Sequence, residues 1–179
     1  MTWRRLFVFV EGPDDERLVA RILAVAGGEK YDDIRFIHYA KQKPAKTRAL
    51  LRNVGRLPMT DYLFLADRDD GPCVTWKKEQ LAKHFGEALD LSKVFVVVPE
   101  IEAWYIAGLN TQARRALRLK GKLASTKNCD AITKEQLDNA MPRRASRVAF
   151  LVQMAEKFSP KAASRASPSF RYFFDNVDP

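Results

Sequence analysis

The chain has 179 residues, two cysteines and two histidines, and its net charge is +9. This length fits one domain, or one domain with an appended subdomain, and the sequence has no apolar run of the roughly 18 residues that a membrane span needs. The separate cysteines and few histidines exclude the usual structural zinc sites and favour a reducing, cytoplasmic setting.

The positive charge is unevenly distributed along the chain. Residues 1–108 hold 17 Lys and Arg against 16 Asp and Glu, whereas residues 109–179 hold 14 against 6. A basic segment beside a nearly neutral one that carries clustered acids suits a polyanionic partner, DNA or RNA. The alternative is that the surplus Lys and Arg only keep the protein soluble.

The first 108 residues predict alternating strands and helices. Apolar runs that lack a polar face predict buried strands, as parallel sheets require, at 4–10, 62–66 and 92–98. The partial alternation at 33–40 predicts a further strand nearer the edge of the sheet. Apolar residues at helical spacing predict helices at 14–26, 43–57, 75–85 and 99–108. In the second of these helices, Ala49, Leu50 and Val54 are expected to form the buried face. This order predicts an α/β, Rossmann-like three-layer fold with a parallel sheet of about four strands.

Beyond Gly108 the strand signal stops, and we expect a mostly helical, basic C-terminal subdomain. Residues 111–119 and 143–158 are predicted to be helical, with a polar loop at 120–133. The tail from 159 to 179 contains several aromatic residues, which indicates that it packs on another surface. We therefore divide the chain into an α/β domain at 1–108 and a basic helical extension at 109–179 that packs on it.

Acidic residues cluster where the predicted strands end. Asp67 and Asp69 follow the third strand, and they point to the same side if that strand continues through them. Two such carboxylates repel each other unless a cation or a proton lies between them. The alternative is an acidic turn, because Asp-Asp-Gly is also ordinary turn chemistry.

Further carboxylates follow the first and fourth strands. Glu11 ends the first strand, Asp15 can face the same site from the first helical turn, and Glu100 and Glu102 follow the fourth strand. Adjacent parallel strands bring their carboxyl ends to one edge of a sheet, where ligands bind. Oxygen ligands suit Mg²⁺ or Mn²⁺, and two such ions can hold both reacting oxygens of a phosphodiester. The sequence supplies enough acids for one ion or two.

These motifs carry a family resemblance. Phe9-Val10-Glu11-Gly12-Pro13-Asp14-Asp15, together with Leu65-Ala66-Asp67-Arg68-Asp69, resembles the TOPRIM domain of topoisomerases, bacterial primases, RecR-type recombination proteins and OLD-type nucleases. Pro99-Glu100-Ile101-Glu102-Ala103-Trp104 and Ser167-Pro168-Ser169-Phe170 are similar to a group of small, stand-alone bacterial TOPRIM-like proteins. The first resemblance covers residues 4–108, and the second extends it over most of the chain.

The resemblance implies roles for the acids. Glu11 would be the general acid or base, Asp67 and Asp69 the metal-binding pair, and Glu100 or Glu102 an additional ligand. The chain has no P-loop ATPase domain of the kind that OLD proteins carry, so a partner protein could supply ATPase activity. No tyrosine is assignable as a topoisomerase nucleophile. A homodimer is compatible with these features, and phage defence or DNA repair is the context that the family suggests.

The basic residues offer candidate nucleic-acid contacts. Lys41, Lys43 and Lys46 follow the second strand near the acidic edge. Arg143, Arg144 and Arg147 are expected to share part of a helix face, and Arg114, Arg115 and Arg118 could line the same groove. Lys161 is a candidate for stabilising a transition-state phosphate. We expect Trp104 to lie in the core and His38 to be a strand residue rather than a catalyst.

Three functions compete at this point. The first is Mg²⁺-dependent phosphodiester chemistry on DNA or RNA, by a nuclease. The second is a nucleic-acid or protein-binding module with a vestigial metal site. The third is a phosphatase or phosphotransferase of small substrates, although its Asp-x-Asp usually follows the first strand, where this chain has Glu11.

Overall fold

A four-stranded parallel sheet forms the centre of the protein, in a computed structural model that describes residues 3–26 and 30–177. The strands are β1 (Arg5–Val10), β2 (Asp33–His38), β3 (Thr60–Asp67) and β4 (Val94–Val97). Their order in the sheet is β2-β1-β3-β4. The register pairs Val10 with His38 and Asp67 with Val97, so neighbouring strands end at nearly the same level. The predicted α/β fold with a parallel sheet is confirmed.

A helix follows each strand, and five further α-helices lie in the C-terminal part of the described chain. Those of the α/β part are α1 (Pro13–Val25), α2 (Pro44–Val54), α3 (Val74–Phe85) and α4 (Ile101–Ala107). Those of the C-terminal part are α5 (Thr111–Ala116), α6 (Lys134–Ala140), α7 (Arg147–Glu156), α8 (Pro160–Ala166) and α9 (Pro168–Asn176). Within the described ranges, none of these helices is long and apolar enough to cross a membrane.

The side chains of β1 alternate between the two faces of the sheet, as strand geometry requires. Phe7 and Phe9 pack with α2 and α3 on one face. Val8 and Val10 pack on the other face, with α1, α4 and the C-terminal helices. The sheet therefore has helices on both sides, which gives the predicted three layers.

Several predicted boundaries need correction. The expected apolar face of α2 is right for Val54, which is buried, and for Leu50, which packs against the core, but it is wrong for Ala49, which is exposed. Thr47 and Leu51 are the other buried residues of this helix. The helix expected at 143–158 begins only at Arg147, because residues 142–145 form a turn closed by the bond from the Ala145 amide to the Pro142 carbonyl. The helix α6 was not expected.

The C-terminal helices complete the core on one face of the sheet. Trp104 is fully buried, as expected, and its ring centroid lies 5.3 Å from that of Phe170 and 5.1 Å from that of Phe173, both on α9. The Trp104 Nε1 donates a 2.8 Å hydrogen bond to Ser169 Oγ. The ring centroid of Phe173 also lies 5.1 Å from that of Phe95 in β4. One hydrophobic cluster thus runs from the strands through to α9.

Two close-packed positions join α4 to the segments that follow it. Gly108 lies directly against the ring of Phe158, because a Cβ atom at Gly108 would lie 2.0 Å from that ring. Arg114 is buried and donates hydrogen bonds to backbone carbonyls of Ile106, Leu109, Leu123 and Thr126. A fully bonded, buried guanidinium fixes the path of the chain through this region.

Candidate functional site

Carboxylates from three strand ends meet at the carboxyl edge of the sheet. Glu11 follows β1, Asp67 ends β3, and Glu100 follows β4 after a cis Val98–Pro99 peptide bond. They line a cavity of about 350 Å³. The acidic residues that line this cavity are Glu11, Asp14, Asp15, Asp67, Asp69, Glu100 and Glu102. The structure therefore brings all six acids of the predicted site together, with Asp14 in addition.

Glu11 is held in place by two donors. Its Oε1 accepts a 3.0 Å hydrogen bond from the Tyr39 hydroxyl and a 3.1 Å bond from the Asp67 amide. Burial, reinforced by the nearby Glu11 carboxylate, raises the pKa of Tyr39 well above its ordinary value. The phenol consequently stays protonated and keeps donating. Sequence reasoning missed Tyr39, although its position directly after β2, at the same edge, is a signal for it.

Asp67 is the most constrained acid of the site. Its Oδ1 is buried, and no donor in the described part of the chain reaches that oxygen. Burial raises the pKa of Asp67 well above its usual range, and the neighbouring Asp15 and Glu11 carboxylates raise it further. An oxygen in this position favours a proton or a cation beside it.

Asp15 lies next to Asp67 in the same cluster and is 6% exposed. Burial, followed by the charge of Glu11, raises the pKa of Asp15 from 3.8 to about 7. Its Oδ2 accepts a 3.0 Å hydrogen bond from the Gly12 amide, which holds the carboxylate at the start of α1. Glu11, Asp15 and Asp67 thus form a group of mutually repelling carboxylates that we call the acid triad.

Asp69 does not continue the strand. The expectation that β3 runs on through the acids is wrong, because β3 ends at Asp67 and Asp69 has a left-handed backbone with φ of 55°. Side-chain alternation therefore does not relate these two residues. Asp69 Oδ2 forms a 2.7 Å ion pair with Lys77 Nζ of α3, another residue that the sequence reasoning did not include.

Glu100 and Glu102 already have partners within the protein. Glu100 Oε2 accepts a 2.7 Å hydrogen bond from the Lys134 amide at the start of α6. Glu102, 5% exposed, is paired with Arg147, which also pairs with Asp138 and lies 3.5 Å from Asp14 Oδ2. Burial raises the pKa of Glu102, while the charge of Arg147 opposes that rise. Glu102, which is paired with a cation, is therefore less available to an ion than the acid triad.

The acid triad suits a divalent cation in its chemistry. Carboxylate oxygens are the ligands that Mg²⁺ and Mn²⁺ take, and the unpartnered Asp67 Oδ1 has bonding capacity for such an ion. Among residues 3–26 and 30–177, no three His, Cys, Asp or Glu side chains already surround a common point in a metal-holding arrangement.

The predicted basic contacts are divided between the surface and the interior. Lys41, Lys43, Lys46, Arg143, Arg144 and Lys161 are exposed. Arg147 instead pairs with Glu102 and Asp14, two acids that line the acidic cavity, and Arg114 is buried against backbone carbonyls. The expectations that Arg143, Arg144 and Arg147 share a helix face, and that Arg114 lines a groove, are therefore wrong. A buried arginine and an exposed one give the same signal in a sequence.

Comparisons with known proteins identify the fold. Neither a scan against protein families nor a search of curated proteins finds a match. Among solved structures, the chain is similar to the C-terminal region of the Burkholderia pseudomallei OLD protein, with a TM-score of 0.60. The similarity covers 98% of both chains at 17% sequence identity. The two chains therefore share a fold over nearly their whole lengths.

Proposed function

We propose that this protein cleaves phosphodiester bonds of nucleic acid in a Mg²⁺-dependent reaction, as a TOPRIM-type nuclease. The observation that carries the proposal is the acid triad, in which Asp67 keeps a buried oxygen without a donor in the described structure. Three carboxylates are costly to hold together unless a proton or cation compensates their charge. The TOPRIM-like motifs and the fold shared with an OLD protein region support the same class of reaction.

The residues of the triad take different parts in this chemistry. Asp67 and Asp15 are the carboxylates that would hold the ion, which when bound supplies positive charge for phosphate oxygens and an activated water. Glu11 is the group that moves a proton. Its Oε1 is fixed by Tyr39 and the Asp67 amide, so Oε2 is the atom that gives or takes the proton. Tyr39 is a positioning residue that orients Glu11.

The experiment compares wild type with Asp67→Asn and Glu11→Gln. Calorimetric titration with Mn²⁺ should show binding to wild type and a large loss of affinity in Asp67→Asn. Cleavage assays on single- and double-stranded DNA and RNA should show turnover by wild type and none by either variant. Glu87→Gln, which changes an exposed acid away from the acidic cavity, is the matched control. Equal turnover by wild type and both variants contradicts the proposal.

A second candidate, a nucleic-acid-binding module without catalysis, has an observation in its favour. Lys77 and Arg147 already neutralise Asp69 and Glu102, so two of the predicted metal ligands are occupied by the protein's own cations. This candidate predicts salt-sensitive binding of nucleic acid that is equally strong with and without Mg²⁺. It also predicts no turnover of nucleic acid or of small phosphate esters.

A further inference from the structure

A groove leads from the acidic cavity along the surface of α3. An adjoining cavity of about 430 Å³ shares Glu11 and Asp69 with the acidic cavity. A third cavity, of about 470 Å³, continues from it and shares Asp69, Lys77 and His84 with it. A polymer that has one phosphodiester at the acid triad can therefore continue along α3 through the two adjoining cavities and stay in contact with the protein.

Trp76 lies in the third cavity of this groove, and its ring packs against Gly71. The indole is 39% exposed. Its Cε3 and Cζ3 atoms rest against Gly71, where a Cβ atom would lie only 2.7 Å from them. The absence of a side chain at Gly71 thus lets the indole pack on the backbone. An aromatic ring that is both fixed and exposed is suited to stacking on another flat ring.

The polar groups around Trp76 suit a base better than a phosphate. The carboxylates of Asp69 and Asp70 balance the cations of Arg68 and Lys77, which line the same cavity, so it offers a phosphate no net positive charge. The buried Nε of Arg68 has no hydrogen-bond acceptor within the part of the chain that the structure describes. Gln80 and His84 add groups that donate and accept hydrogen bonds. A neutral, planar ligand with acceptors at its edge, which describes a nucleobase, matches this set.

We propose that Trp76, with Arg68, Gln80 and His84, forms a subsite for an unpaired nucleobase of the polynucleotide. This inference rests on the proposed function, because the same strand presents its phosphodiester to the acid triad. Base stacking on aromatic side chains is tolerant of sequence and is the usual means of binding single strands. The substrate is therefore a single strand or a locally unpaired segment, since a base within a duplex cannot reach the ring.

The test measures binding in EDTA, so that cleavage does not contribute. The probes are a fluorescently labelled single-stranded oligodeoxynucleotide and the matching duplex. Trp76→Leu should weaken single-strand binding by about tenfold, the scale expected for one stacked base, and leave duplex binding unchanged. Trp76→Phe should retain most of the affinity, because it keeps an aromatic face.

Trp3→Leu is the matched control. Trp3 is 62% exposed but precedes β1, at the opposite edge of the sheet from the acids. Its replacement should leave binding of both probes unchanged, and the thermal midpoints of both Leu variants should stay close to that of wild type. Equal single-strand affinity in Trp76→Leu and Trp3→Leu would overturn the inference, as would equal weakening of duplex and single-strand binding by Trp76→Leu.

The two proposals fail in different ways. Loss of cleavage in Asp67→Asn with normal single-strand affinity in Trp76→Leu supports the nuclease and overturns the base subsite. Weakened single-strand binding in Trp76→Leu supports the subsite. Cleavage that is undiminished in Asp67→Asn overturns the catalytic proposal, whatever the outcome of the binding assay.

Discussion

Asp15 gives the sharpest test of the electrostatics of the acid triad, through its effect on stability without metal. Its pKa is about 7 in the folded protein, against an ordinary value of 3.8. Between these two values the folded state holds the proton more tightly than the unfolded state does. The contribution of Asp15 to stability is therefore full below pH 3.8, and it is lost as the pH rises to about 7.

The size of this effect follows from the same two values. From pH 5 to the folded pKa of about 7, the linkage relation gives about 1.4 kcal/mol per pH unit, or about 3 kcal/mol in all. Asp15→Asn removes the titrating group and keeps an oxygen that can accept the Gly12 amide bond. Wild type should therefore lose about 3 kcal/mol more stability between pH 5 and pH 8 than the variant does.

Denaturant unfolding in EDTA at pH 5, 6, 7 and 8 measures this difference. Asp70→Asn, at an exposed position of the same edge, should follow the wild-type profile. Parallel profiles for wild type and Asp15→Asn would refute the reasoning, because they would show that Asp15 keeps an ordinary pKa in the folded state. Saturating Mn²⁺ at pH 8 should stabilise wild type more than the variant, since the ion replaces the proton.

Three further substitutions test the packing around the site by denaturant unfolding. Arg147→Met leaves the buried Glu102 without its cation and should lower the free energy of unfolding by about 3 kcal/mol. The control Arg143→Met, at an exposed position, should change it by less than about 0.5 kcal/mol. Equal effects of the two substitutions would contradict the ion-pair network. Gly108→Ala forces a Cβ atom into the ring of Phe158 and should cost about 1–3 kcal/mol, and an unchanged thermal midpoint would contradict this. Arg114→Met leaves several buried carbonyls unpaired and should cost about 3 kcal/mol, well above the exposed Arg115→Met, and a small loss would show that water replaces the guanidinium.

The sequence predicted the sheet because its signal is local. Uninterrupted apolar runs such as Leu6–Val10 identify buried parallel strands without knowledge of their partners. The acids that follow these runs fall at the carboxyl edge once the strands are parallel. The proximity of Glu11 and Asp67 is therefore predictable from the sequence. The strand order β2-β1-β3-β4 does place their two strands side by side.

The partners of these acids could not be predicted in the same way. Arg147 is 45 residues from Glu102, and nothing local distinguishes it from the exposed Arg143 and Arg144. The left-handed backbone of Asp69 is held by the segment that follows β4, since the Asp69 amide donates to the Pro99 carbonyl at 3.1 Å. Contacts of this kind arise only when distant segments pack, so an arginine that contacts DNA and one that balances a buried carboxylate look alike in the sequence.

The placement of α7 and α9 has a consequence for how the protein is made. A nascent chain that has reached Gly108 contains all four described strands and the whole acid triad. It lacks Phe170 and Phe173, which cover Trp104, and it lacks Arg147, which compensates Glu102. During synthesis Trp104 stays uncovered and the acidic edge stays unbalanced until α7 and α9 have left the ribosome. We expect ribosome-bound chains to gain protease resistance only after α9 has emerged, because the acidic edge depends on helices that are translated well after its own residues.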